Sequence, residues 1–264
     1  MNSTFLNKVI DETRAKVARV KSGHYSEKLR RKAQHAALDR KSHRFRTALA
    51  GKGRTNIIAE IKRASPSKGV INASIDVAAR ALSYERGGAA AVSVLTEPQH
   101  FGGSIDDIVK ARTAIRVPIL RKDFIVDEFQ ILEAAAAGAD AVLLIAAALD
   151  DRELLRLRQF AENEFGLDAL VEIHDEYELE RAVDADSMII GVNNRNLKSL
   201  DVSLDVARRL GVMKPDGVIF VAESGISMRH EIDELHGLGY DAFLIGEALM
   251  KSGDPAGKLE EFGA

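Results

Sequence analysis

The chain has 264 residues, with 37 Lys+Arg against 40 Asp+Glu and a formal net charge of -3; it is long enough for a substantial core and makes no overall electrostatic case for nucleic acid or a membrane surface. Cysteine is absent, which excludes a disulfide framework, a thiolate metal site and a cysteine nucleophile and is compatible with a reducing, cytoplasmic setting. The N-terminal MNSTFLNKVIDETR lacks a continuous apolar core, so no signal peptide is expected, and the most apolar stretch, Ala134 to Leu149, is broken by Gly138 and Asp140 and is too short to span a bilayer.

Between Arg14 and Arg46 basic residues run almost unopposed, with only Glu27 and Asp39 against them. Phe5, Val9, Val17 and Val20 recur at roughly helical spacing, so residues 1–54 are expected to form a helical extension, a pair of amphipathic helices laid on the main body. A solvated helix face explains the charge, and attraction of an anionic substrate is its modest functional version.

From Ile57 onward short apolar runs alternate with longer helical stretches. The runs are IIAEIK from Ile57, AAVSVL from Ala90, PILRK from Pro118, AVLLIA from Ala141, DALVEI from Asp168, SMIIGV from Ser187, VIFVAE from Val218 and AFLIG from Ala242. Each is nearly all apolar, as for parallel strands covered on both faces. Helices are expected over 76–85, 104–114, 127–137, 150–164, 176–183, 203–210, 227–238 and after Asp254, several with capping signals such as Ser104. About 26 residues per unit suffice for a strand, a helix and two short loops, so the expected fold class is α/β, a single (β/α)8 TIM barrel with an N-terminal helical extension. A doubly wound sheet would use fewer strands and a Gly-rich first turn, whereas that turn here reads KRASPSKG.

Active sites of such barrels lie at the C-terminal ends of the strands. Glu60 and Lys62, two residues apart on the first strand, share a face where charge is costly unless used. The third strand ends in Arg121, Lys122 and Asp123, the fifth in Glu172, the sixth in Asn193, Asn194 and Arg195, the seventh in Glu223, Ser224 and Gly225, and the eighth at Gly246. Each has a plain alternative: Arg121 or Asp123 as a rim salt bridge, His174 as a capping or packing histidine. Gly225 and Gly246 follow strands seven and eight, where this fold presents backbone N–H groups to phosphate, and Lys62 adds charge there. Gly102-Gly103-Ser104 reads as a second anion nest or as a turn followed by a cap. No cluster has metal-ligand spacing, so no metal is expected.

In order along the chain, EIKRASPSKG, VLTEP, LRKDF, VEIH, GVNNRNL, ESGI and IGEALM closely resemble indole-3-glycerol phosphate synthase of tryptophan biosynthesis. The resemblance spans nearly the whole chain. It implies ring closure, decarboxylation and dehydration of 1-(2-carboxyphenylamino)-1-deoxyribulose 5-phosphate, without cofactor. It implies catalytic roles for Lys122 as general acid, Glu172 as general base, Glu60 to orient a lysine and substrate hydroxyls, and Lys62 to bind anionic groups or act as a second acid. Asn193 and Glu223 are expected on the sugar chain, Ser65 and Arg195 near the anthranilate carboxylate, and Ser224, Gly225, Gly246 and Lys62 at the phosphate. The expected partners are a phosphorylated small molecule, other tryptophan-pathway enzymes and at most a weak homo-oligomer, with no nucleic acid and no membrane. Two other readings stay open: another sugar-phosphate barrel isomerase or Schiff-base aldolase, against which Asn193 stands where a late sixth-strand lysine is wanted, and a non-catalytic barrel whose basic N-terminus meets a partner.

Overall fold

The computed structural model describes residues 5–21, 24–38, 41–66, 68–197 and 199–264. Eight strands form a closed barrel: β1 (Asn56–Ile61), β2 (Ala91–Leu95), β3 (Ile119–Lys122), β4 (Ala141–Ile145), β5 (Asp168–Ile173), β6 (Ile189–Asn193), β7 (Ile219–Glu223) and β8 (Ala242–Ile245). Each pairs in parallel with its sequence neighbours and β8 closes on β1, with Asn56 opposite Ala242.

The eight expected runs all become strands because each is buried on both sides and rich in β-branched or leucine residues. Alternate positions separate into two clusters. Ile57, Ala59, Val92, Val142, Val171 and Phe220 face the surrounding helices, whereas Ile58, Leu120, Leu143, Leu170, Val221 and Leu244 pack together in the interior.

The helices after the strands are α4 (Val77–Arg86), α5 (Ile105–Ala114), α6 (Glu128–Ala137), α7 (Asp151–Gln159), α8 (Glu176–Asp184), α9 (Asp205–Gly211), α10 (Arg229–Gly237) and a final pair, α11 (Glu247–Lys251) and α12 (Pro255–Glu261). Side chains of Asp76, Ser104, Asp127, Asp150 and Asp175 accept first-turn N–H bonds and set where five of them start. The helix expected over 150–164 becomes α7 plus a π-helical turn at Phe160–Glu164.

The N-terminal region holds three helices among the described residues, α1 (Phe5–Val20), α2 (His24–Leu38) and α3 (Arg44–Leu49), where the sequence suggested two. Six residues are too short for α3 to show a period. Its Phe45 and Leu49 are fully buried in the interior cluster with Ile58, Ala91 and Leu120, closing the N-terminal end of the barrel. α1 lies at the opposite end, tied by Arg14 to Glu153 and by Lys21 to Asp127, both at helix starts following strands. Lys28, Arg30, Arg31 and Lys32 of α2 are exposed. No helix among the described residues is long and apolar enough to cross a membrane.

Candidate active site

The last inward-facing layer before the strands end carries the polar groups. Register places Glu172 beside Gly191, Asn193 beside Glu223, and Glu223 beside Leu244. A cavity of about 450 Å³ opens there, and every expected site residue lines it: Glu60, Lys62, Ser65, Lys122, Glu172, Asn193, Arg195, Glu223, Ser224, Gly225 and Gly246.

Lys122 is the hub. Its Nζ donates to Oε2 of Glu172 at 2.8 Å and to Oε2 of Glu223 at 2.6 Å. Burial disfavours the ammonium, but Glu172, Glu223 and Glu60 outweigh it and hold the proton well above the ordinary lysine range. Burial likewise opposes the Glu172 carboxylate, yet Lys122 and His174 prevail and bring it down to about 2. Glu223 goes the other way. Burial, reinforced by Glu172 and Glu60 and only partly offset by Lys122, pushes it up to about 7. Its Oε1 is buried with no hydrogen-bond partner among the described residues.

The second pair is Lys62 on Glu60, 2.6 Å apart. Gly246 makes room for it: a Cβ there would stand 2.3 Å from Oε1 of Glu60 and 3.0 Å from Nζ of Lys62. Gly191 does the same for Glu223, and no reading of the sequence had singled it out. A glycine inside an otherwise β-branched run was the available signal.

At the end of β7, Ser224 and Gly225 take left-handed backbone conformations, φ 66° and 84°. A side chain at Gly225 would meet Val202 Cγ1 at 2.8 Å. The N–H of Gly225 finds no acceptor among the described residues, so this turn offers a donor to an anion. Glu247 turns aside to Lys251, 2.6 Å away, as an anion site beside it requires. The glycines at 102–103 form a turn: Gly103 N–H donates to Glu97 O, and a Cβ there would strike Leu95 O at 2.3 Å.

Arg121 and Asp123 take their plain reading. One residue from Lys122, Arg121 points out of the barrel to Asp123 (3.0 Å) and Glu133 (3.2 Å). Arg195 donates to Leu200 O, and Asn193 accepts from the Arg195 N–H while bonding Glu172. Ser65 sits in a two-residue hairpin, Ala64–Ser65 with Gly69–Val70; Ser67 lies outside the described residues.

Apolar walls were not foreseen. Phe5 and Leu6 of α1 line the cavity together with Phe101, Phe124 and Leu197. Helical periodicity gave α1 an apolar face but could not say that the face covers the catalytic end of the barrel. Among the described residues, no group of three or more His, Asp or Glu is placed to hold a metal ion.

A family model described as indole-3-glycerol phosphate synthase matches residues 6–262. The indole-3-glycerol phosphate synthase of Koribacter versatilis is 47% identical over 264 residues, covering 99% of each chain. That of Streptomyces griseus is 46% identical over 250 residues, covering 95% of this chain and 91% of the relative. Among solved structures, KGPDC from Streptococcus mutans superposes with a TM-score of 0.58 at 13% identity, covering 80% of this chain and 96% of that one, which speaks to the barrel fold alone.

Proposed function

The chain belongs to the indole-3-glycerol phosphate synthase family, and from that premise we propose that the Lys122, Glu172 and Glu223 triad carries the proton transfers of its reaction. The reaction is a carboxy-lyase step of tryptophan biosynthesis that converts 1-(2-carboxyphenylamino)-1-deoxyribulose 5-phosphate to indole-3-glycerol phosphate. A C–C bond forms between the ring carbon bearing the carboxylate and the ketone carbon, and the ketone oxygen takes a proton. Loss of carbon dioxide restores the benzene ring, the new hydroxyl departs as water with a second proton, and a base removes a proton from the carbon next to nitrogen to complete the aromatic indole.

The observation that carries the assignment is Lys122 bridging two buried carboxyls. A lysine held charged stabilises the developing oxyanion and then delivers its proton there. With Lys122 charged beside it, Glu172 is a weak base. Once Lys122 has passed its proton on, that attraction is gone and Glu172 rises toward the range where it accepts one, so the acid step prepares the base step. Glu223, raised to about 7, exchanges protons near neutrality and goes beyond the sugar-binding role expected of it.

Glu60 orients Lys62, whose ammonium serves the anionic groups of the substrate. The phosphate meets the N–H of Gly225 beside Ser224 and Gly246, while Ser65, Arg195 and Asn193 position the anthranilate and sugar portions. Residues 1–54 belong to one domain with the barrel, and a cytoplasmic enzyme, monomeric or weakly homo-oligomeric and in contact with other enzymes of its pathway, is the corresponding cellular reading. The test is indole fluorescence on incubation with the substrate, without added metal or cofactor. Lys122→Met is expected to abolish turnover with the dissociation constant for substrate little changed, and Glu172→Gln to lower kcat at least ~100-fold. Near-normal kcat in either removes that residue from its role.

A further inference from the structure

His174 follows β5 directly and is nearly buried, yet no step above uses it. Its Nδ1 lies 3.0 Å from Oε2 of Glu178 in α8, and its backbone N–H donates to the same oxygen at 2.8 Å. Glu178 is itself fixed, because its N–H donates to the cap residue Asp175. An ionised carboxylate only accepts, so Nδ1 carries a proton. The other ring nitrogen, Nε2, is buried without a hydrogen-bond partner and lies 3.5 Å from Oε1 of Glu172.

A bare lone pair aimed at a carboxylate oxygen is repulsive, whereas an N–H aimed there is attractive. Three acidic groups act on the ring, Glu172 on β5, Glu178 on α8 and Glu223 on β7, while Lys122 sits on the other oxygen of Glu172. We propose that His174 is a positioning residue for Glu172: clamped at Nδ1 by Glu178, it presents Nε2–H to Oε1 of Glu172 and leaves Oε2 committed to Lys122. The carboxylate is thus held between two cations and fixed in rotation, with one oxygen facing the acid. Burial opposes the imidazolium, but the bond to Glu178 and the charge of Glu172 keep it protonated above the ordinary histidine range. Sequence alone allowed only a capping or packing histidine here.

The inference rests on Glu172 acting in the reaction, and two measurements separate the two claims. In the first, the His174 ring is titrated by NMR in the wild type and in Glu172→Gln. The expected result is a midpoint at least ~0.5 pH unit lower in the variant; an unmoved midpoint overturns the contact whatever Glu172 does. In the second, His174→Asn keeps a donor toward Glu178 but loses the reach to Glu172, whereas His174→Gln restores a neutral donor near Nε2. The Asn variant is expected to lose ~10-fold in kcat with KM within ~2-fold, and the Gln variant to recover part of that loss while losing the basic limb that His174 contributes to the pH profile. Wild-type kcat and pH profile in both variants overturn the proposal. If neither folds, Glu178→Gln takes their place: the basic limb of kcat is expected to move to lower pH, and an unmoved limb overturns the proposal. Should Glu172→Gln keep its kcat while the NMR midpoint moves, the base reading fails and the contact stands.

Discussion

A Cβ on Gly191 would lie 2.1 Å from Oε1 of Glu223, so β6 is stripped of a side chain where the carboxyl of β7 enters the barrel. Glu223 cannot retreat freely, since its Oε2 is bonded to Lys122 at 2.6 Å. Gly191→Ala is therefore expected to fold, because only a side-chain tip must move, but to displace the carboxyl and lower kcat by ~100-fold or more, the scale of a misplaced catalytic group. Circular dichroism and steady-state kinetics on one preparation check it; wild-type kcat would show that Glu223 is free to sit elsewhere.

The barrel was legible because parallel strands buried on both faces write continuous apolar runs, and because Glu60, Lys122, Glu172 and Glu223 stand at the ends of those runs where charge has no packing purpose. Register is what sequence could not supply. Arg121 and Lys122 are adjacent and equally basic, yet the pleat sends one outward to Glu133 and the other inward to Glu172. Likewise α3 left no period in six residues, and α1 showed an apolar stripe without saying which end of the barrel it covers. Gly246 was expected for its backbone, but its missing side chain also makes space for the Glu60–Lys62 pair.

The shared proton of the triad has a signature in stability. Glu223 is raised from 4.5 to about 7, so the folded state holds a proton that the unfolded chain releases. That contribution is complete below about 4.5 and disappears as pH rises through about 7. Glu172, lowered to about 2, contributes above 4.5 and stops doing so as pH falls through about 2. Between pH 5 and 8 the wild-type Tm is expected to fall by ~5 °C relative to Glu223→Gln. Parallel melting curves over that range would mean that Glu223 titrates in its ordinary range.

Gly225 tests the phosphate assignment separately from the chemistry. Its φ of 84° and the 2.8 Å approach of Val202 to a would-be Cβ mean that Gly225→Ala distorts the turn that offers the Gly225 N–H. The expected outcome is a ~10-fold rise in KM with kcat within ~3-fold, and an equal weakening of competitive inhibition by inorganic phosphate. Unchanged inhibition would move the phosphate to another part of the mouth.

The N-terminal helix is held over the cavity by two kinds of contact whose weights differ. Arg14 to Glu153 and Lys21 to Asp127, each 2.9 Å, join partly exposed side chains, and pairs of that kind contribute roughly 0–1 kcal/mol. Leu6, Val9, Ile10 and Val17 are buried, and a side chain such as Leu6 contributes about 1.5–3 kcal/mol on full burial. Leu6 also forms part of the cavity wall. Combining Arg14→Ala with Lys21→Ala is therefore expected to leave KM within ~2-fold, whereas Leu6→Asp detaches the helix, raises KM at least ~5-fold and exposes the first twenty residues to limited proteolysis. The opposite ranking would mean that the ion pairs hold the helix down and that the apolar stripe merely fills the space beneath it.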